Sequence, residues 1–195
     1  MIERRAEYRR TTKETDILCR LALDGAGDIK VDSGIGFLNH LLETLARFAR
    51  FDLTLECRGD LAVDDHHSAE DCALALGSAL DKALGEKRGI ARFGSAYAPM
   101  DESLARAALD LSGRPFAAVD LGLKRDALGA LACENIPHLL RSFATAARLT
   151  LHVDVLRGEN DHHRAEAAFK AVALALRQAV ALDGGADVPS AKGVL

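Results

Sequence analysis

Apolar residues recur along this chain with two rhythms, a period of two over short stretches and a period of three to four over longer ones. Alternation around Arg4–Thr12, Thr15–Leu23 and Asp28–Val31 predicts three strands joined by turns such as Asp24-Gly25. A helix follows through His40-Leu-Leu-Glu-Thr-Leu-Ala, then a strand through Leu53-Thr-Leu. Ala69, Cys72, Ala73, Leu76, Ala79 and Ala83 then trace the apolar stripe of a second helix.

The same order is written a second time. Strands are predicted around Phe93–Pro99, Ser103–Leu111 and Phe116–Leu123, and His138-Leu-Leu-Arg-Ser-Phe-Ala matches the helix at His40. A strand through Leu149-Thr-Leu precedes a stripe of Ala165, Ala168, Phe169, Val172, Ala175 and Ala179, spaced as in the first half. The pattern predicts an α+β fold, one domain over 1–195 with pseudo-symmetric β-β-β-α-β-α halves at 1–89 and 90–195. Each half is expected to be a mostly antiparallel four-stranded sheet with two helices on one face.

Composition narrows the class. With 49% hydrophobic and 28% charged residues and a mean hydropathy of +0.01, the chain reads as a soluble globular protein with a sizeable core. A net charge of −4 and a pI of about 6.0 give no overall field for nucleic acid, so phosphate recognition must rest on a few local cations. Aromatics at 5%, with no Trp, leave few stacking platforms for bases. The charged N-terminus and the lack of a long apolar run argue against export or a membrane span and for a cytoplasmic protein. Cys19, Cys57, Cys72 and Cys133 form no C-x-x-C pair and are expected as reduced core residues.

The candidate chemistry lies in the repeat. His66-His67-Ser-Ala-Glu70 recurs as His162-His163-Arg-Ala-Glu166, displaced by 96 residues, where chance predicts roughly 0.01 matches per chain. On a helix turning about 100° per residue, Glu70 lies about 40° around from His66 whereas His67 is splayed by about 100°. Neighbouring histidines so splayed cannot share one ion, but His and Glu four apart can converge, so each motif is expected to serve two metals. His40 and His138 complete an inventory of six histidines and two carboxylates, which divides into three His and one Glu per ion. Four ligands leave open positions for catalysis on an octahedral ion such as manganese, iron or zinc. A single such motif after Asp64-Asp65 or Asn160-Asp161 could be no more than helix capping; the matched duplicate favours metal. His152 alternates outward on its strand, opposite Leu151, Val153 and Val155, and stays outside the metal set.

Read end to end, the chain resembles the imidazoleglycerol-phosphate dehydratase family. The resemblance rests on Arg10-Thr-Thr-Lys-Glu-Thr, Gly34-Ile-Gly-Phe-Leu-Asn-His40, Asp64-Asp-His-His-Ser-Ala-Glu-Asp71, Leu111-Ser-Gly-Arg-Pro115, Gly158-Glu-Asn-Asp-His-His163, Glu166-Ala-Ala-Phe-Lys170 and Pro189-Ser-Ala-Lys-Gly193. It implies a hydro-lyase of L-histidine biosynthesis that converts D-erythro-imidazoleglycerol phosphate to imidazole acetol phosphate; because no carbonyl adjoins the C–H to be broken, the chemistry itself suggests an imidazolate and a diazafulvene-like intermediate. It implies two Mn2+ ions held by His40, His66, His67, Glu70, His138, His162, His163 and Glu166, with Glu14 and Glu166 as catalytic groups. Glu14 would also contact substrate, and Arg92, Arg114, Lys170, Ser190 and Lys192 would grip its phosphate. It further implies self-association into a 24-subunit shell with sites shared between neighbouring chains. Two stretches depart from the family pattern: Asn39, where a carboxylate before His40 is usual and would orient the imidazole, and Lys124–Cys133, which matches poorly. A binuclear phosphatase or hydrolase would use similar parts but would release inorganic phosphate, and a non-enzymatic metal-binding assembly protein would bind metal with no response to substrate.

Overall fold

The computed structural model describes residues 4–193 and 195. The first half runs β1 (Arg5–Thr11), β2 (Thr15–Ala22), β3 (Ile29–Asp32), α1 (Gly36–Ala49), β4 (Asp52–Gly59) and α2 (His66–Leu84). The second runs β5 (Phe93–Met100), β6 (Ser103–Asp110), β7 (Phe116–Asp120), a small hairpin of β8 (Ala127–Leu128) and β9 (Leu131–Ala132), α3 (Asn135–Ala146), β10 (Thr150–Arg157) and α4 (Asp161–Ala179).

The two large sheets have matching orders, β1-β2-β4-β3 and β5-β6-β10-β7. β3 pairs parallel with β4, and β7 with β10, because a helix crosses over between them; the other pairs are antiparallel. Alternation sets the inner face: Ile17, Cys19 and Leu21 of β2 and Leu53, Leu55 and Cys57 of β4 are buried. The outer face of the first sheet carries the ion pairs Arg9–Asp16, Arg20–Glu7 and Lys30–Glu56.

Each sheet is covered by its own two helices, α2 over β1 and β2, α4 over β5 and β6, α1 beside β3 and α3 beside β7. The helices of the two halves then pack on each other, α1 on α4 and α2 on α3. Small residues make this double burial possible. Ala165, Ala167, Ala168, Ala171, Ala173 and Ala175 are fully buried on more than one side of α4.

One predicted strand is shorter than expected and one hairpin was not predicted. β7 stops at Asp120, ahead of the turn at Gly122 with φ 57°, and the hairpin β8–β9 occupies the stretch that departs from the family pattern. Equivalent aspartates of the two repeats pin that stretch: Asp65 accepts from the Ala132 N–H at 2.7 Å, and Asp161 accepts from the Lys124 and Arg125 N–H groups at 2.8 and 2.7 Å. Nothing local in the sequence announces an anchor that comes from elsewhere in the chain.

Gly77 sets the approach of α2 to α3. A Cβ there would lie 2.6 Å from the Phe143 carbonyl oxygen and 2.9 Å from the Ala147 nitrogen, which are backbone atoms that cannot swing aside. Gly77→Ala gains about 1 kcal/mol of helix propensity but overpacks by about 1–3 kcal/mol. We expect a net loss, read as a thermal midpoint of the metal-free protein lowered by roughly 2–8 °C. A raised midpoint would show that α3 yields freely.

Candidate metal centre and phosphate site

Both His-His-x-x-Glu motifs open a helix, and a polar residue two before the first histidine takes up that histidine's backbone N–H. The His66 N–H donates to Asp64 Oδ1 and the His162 N–H to Asn160 Oδ1, both at 2.9 Å. This contact fixes the first turn, so the histidine and the glutamate four residues on rise from one face.

Six of the eight expected ligands gather into two trios, each drawn from both halves of the chain. In one, His40 of α1 meets His162 and Glu166 of α4; in the other, His138 of α3 meets His66 and Glu70 of α2. The candidate donor atoms of each trio lie within 4.8 Å of one another. His40 Nε2 is 3.0 Å and His162 Nε2 3.3 Å from Glu166 Oε2. His138 Nε2 is 3.3 Å from Glu70 Oε1, and His66 Nε2 is 3.8 Å from Glu70 Oε2.

His67 and His163 turn away from these trios, as the splay between adjacent helical residues requires. Carboxylates orient both: His67 Nδ1 lies 3.0 Å from Asp60 Oδ2, and His163 Nδ1 lies 2.7 Å from Glu102 Oε2. The Asp60 hydrogen bond raises the pKa of His67, and that of Glu102 raises His163. The even division into three His and one Glu per ion is therefore not met inside one chain, where each cluster holds two His and one Glu.

The two trios differ in their support. His66 Nδ1 is 2.9 Å from the buried Asn135 Oδ1, whereas the ring of His162 meets Phe37 edge-on at 5.0 Å. Lys170 Nζ sits 2.7 Å from Glu166 Oε1, which leaves Oε2 facing the histidines. Burial alone would push the Glu166 carboxyl up; the hydrogen bonds from Lys170 and His40 outweigh it and hold the group below its ordinary value.

Asn39 stands where a carboxylate was expected to orient the His40 imidazole, and its side chain bonds to Ser33 instead. Its Oδ1 accepts from the Ser33 N–H at 2.9 Å and the Ser33 hydroxyl at 2.5 Å, which anchors the chain where it enters α1. An amide oxygen does this work as a carboxylate would. His152 is exposed and lies tilted against Phe116 with ring centroids 5.6 Å apart, outside both trios.

Four of the five predicted phosphate contacts belong to one region. Arg92 donates to both Asp110 oxygens at 2.7 and 2.9 Å and to the Pro189 carbonyl at 2.7 Å, which binds the C-terminal segment to the start of β5. Arg114 lies 4.0 Å from Asp110 and is exposed, and the Lys192 N–H donates to Ser190 Oγ at 3.2 Å. Lys170 stands apart with Glu166 and Met100. Because the Arg92 N–H donates to the Ala179 carbonyl, nine residues further along α4, the separation is about 13 Å along the helix axis. Glu14 reaches to 3.8 Å from His67 Nε2, with half its side chain exposed.

Sequence reasoning did not name Asp60, Glu102, Asn135 or Phe37 as supports of the histidines. Their only signal is placement beside the motifs in space, since all four lie on other elements or loops. The candidate ligands were legible because the repeat displays them twice.

A profile of the imidazoleglycerol-phosphate dehydratase family matches residues 33–176. A protein named imidazoleglycerol-phosphate dehydratase from Phaffia rhodozyma is 55% identical over 197 residues, covering 98% of this chain and 96% of the relative. The one from Saccharomyces cerevisiae is 49% identical over 219 residues and covers 100% of each chain. A relative of that name from Phytophthora nicotianae is 59% identical, and there the match spans 42% of a longer protein. The crystal structure of the Staphylococcus aureus enzyme of that name aligns with a TM-score of 0.82 at 33% identity, over 91% of this chain and 99% of that one. A structure from Pyrococcus furiosus, solved in complex with (S)-C348, gives 0.83 at 38% identity over 96% and 99%. On the family match over residues 33–176 and these near full-length relatives, the chain belongs to the imidazoleglycerol-phosphate dehydratase family.

Proposed function

We propose that this chain is a hydro-lyase that dehydrates D-erythro-imidazoleglycerol phosphate to imidazole acetol phosphate in L-histidine biosynthesis, at two Mn2+ ions in sites completed by neighbouring copies. The family and the names of its members support the reaction. The observation that carries the metal reading is the pair of trios, in each of which two imidazoles converge on one carboxylate; among the described residues the buried His138 Nε2 makes no well-formed hydrogen bond, although Glu70 Oε1 stands 3.3 Å away. A buried polar atom without a partner costs about 1–3 kcal/mol, a cost that a cation would remove. Imidazole and carboxylate donors suit manganese.

Two histidines and one carboxylate leave an octahedral ion short of ligands. His67 and His163, held by Asp60 and Glu102 with Nε2 directed away from the trios, are the donors that a neighbouring copy would contribute. That addition restores three His and one Glu per ion, and it favours self-association of the 24-subunit kind. Exposed Phe93, Tyr97 and Phe116 on the second sheet fit the same expectation.

Bound manganese would supply Lewis acidity that lowers the pKa of the substrate's imidazole N–H. Glu14 moves the carbon-bound proton as the neighbouring hydroxyl leaves, so that one water is lost and the enol relaxes to the ketone. Lys170 neutralises one oxygen of Glu166 and leaves the other, beside His40, as the one that would hold an ion. Asp110 and the Pro189 carbonyl hold Arg92 ready, so that Arg92, Arg114, Ser190 and Lys192 receive the phosphate with little further ordering.

Glu14→Gln is expected to keep metal and substrate binding and to lose about 10²- to 10⁴-fold in kcat, followed by absorbance of the enolised ketone in alkali. Near-normal turnover would remove Glu14 from proton transfer, and release of inorganic phosphate would make the enzyme a hydrolase. Lys192→Ala is expected to raise KM roughly tenfold or more with kcat little changed; an unchanged KM would take Lys192 out of the pocket. Chelation should abolish activity and readdition of Mn2+ restore it. Since His67 and His163 hold their protons above the ordinary imidazole value of 6.5, Mn2+ must displace them. Uptake by metal-free protein should therefore weaken as the pH falls from about 8 to about 6, with protons released on binding. Uptake that ignores pH would exclude these imidazoles.

A further inference from the structure

The two repeats use the acid before their second strand in opposite ways. Glu102, just ahead of buried Ser103, is fully committed: its Oε1 accepts from the Ser103 hydroxyl at 3.0 Å and from the Glu159 and Asn160 N–H groups at 3.1 and 2.9 Å, and its Oε2 meets His163. Glu14, just ahead of buried Thr15, accepts no hydrogen bond through its carboxylate among the described residues. His67 Nε2 lies 3.8 Å from it.

What holds the first turn instead is Asp71. This residue is 5% exposed, and its Oδ2 accepts from the Thr15 hydroxyl at 2.5 Å while its Oδ1 accepts from Arg10 Nε at 2.7 Å. Arg10 lies on β1 and Thr15 on β2, so one carboxylate on α2 clamps both strands of the hairpin. At its tip, Thr12 Oγ1 accepts from the Glu14 and Thr15 N–H groups, both at 3.0 Å, which fixes the backbone that carries Glu14. The matching position in the second repeat is Ala167, fully buried and without polar function. The two helices otherwise share their apolar stripe, so Asp71 is a specific departure from the repeat.

We propose that Asp71 is a positioning residue for Glu14. By taking the hydroxyl of Thr15 and the guanidinium of Arg10, it does for the first turn what the acid of the second turn does for itself, and so leaves the Glu14 carboxylate free for proton transfer. Asp71 also adjoins Glu70 on α2, so a single turn of helix sets the distance between the acid and the trio of His66, Glu70 and His138. The inference rests on the reading of Glu14 as the proton-transferring group.

Thr15→Val tests it without altering a residue next to Glu70. The variant removes the hydroxyl that reaches Asp71 and keeps the shape. We expect kcat to fall about tenfold or more, with KM within about twofold and Mn2+ content per subunit unchanged. Thr15→Ser, which restores the hydroxyl, should recover kcat. In a Glu14→Gln background Thr15→Val should cost nothing further, because the tether then has no acid to position. Normal kcat in Thr15→Val, or a loss that multiplies with that of Glu14→Gln, overturns the proposal. Should Thr15→Val fold poorly, Asp71→Asn gives the same comparison of kcat against KM and metal content, and normal kcat there also overturns the proposal. Failure of the Glu14 reading is separate, since it shows as near-normal turnover in Glu14→Gln alone.

Discussion

Everything in this molecule depends on the packing of one half's helices against the other's. α1 lies on α4 and α2 on α3, with each helix also resting on its own sheet, so the helices are buried on two sides. That requires small residues where backbones approach, and it explains the alanine content of α4 and the glycine at 77. The same contacts bring a histidine from one half beside the His-x-x-x-Glu face of the other. The candidate metal centres are therefore products of the interface between repeats, and neither half contains one alone.

Burial at this interface also raises the cost of leaving its polar groups unpaired. Glu166 meets that cost with Lys170 and two histidines, His66 with Asn135, and Asn39 with Ser33. The histidines that face outward are held no less firmly, by Asp60 and Glu102. An imidazole fixed at Nδ1 presents Nε2 in one direction, which is the preorganisation a coordination site needs. The repeats have diverged in how they supply these supports, with Lys170 on one side only and Asp71 on one side only. Sequence symmetry has become chemical asymmetry.

The ten strands and four helices of the described residues follow the predicted order, apart from the small hairpin between β7 and α3. Periodicity made them legible, since one-sided strands such as β2 and β6 alternate and helices carry a stripe. The hairpin escaped because its anchors, Asp65 and Asp161, act over dozens of residues. In the centre, the geometry of a helical turn was enough to separate His66 from His67. It was not enough to say that His40 joins His162 and Glu166 whereas His138 joins His66 and Glu70.

The amino-acid sequence by itself determined the two-fold internal repeat, the order of elements in each half, the candidate metal-binding residue types and the membership of one family. These are properties of spacing, and spacing is written in the chain. Tertiary structure alone decided which helix of one half meets which of the other, which carboxylate steadies which imidazole, and why Glu14 is left free while Glu102 is not. Such pairings join residues far apart in sequence, and the free energy that selects among them comes from burying faces that only the folded chain brings together.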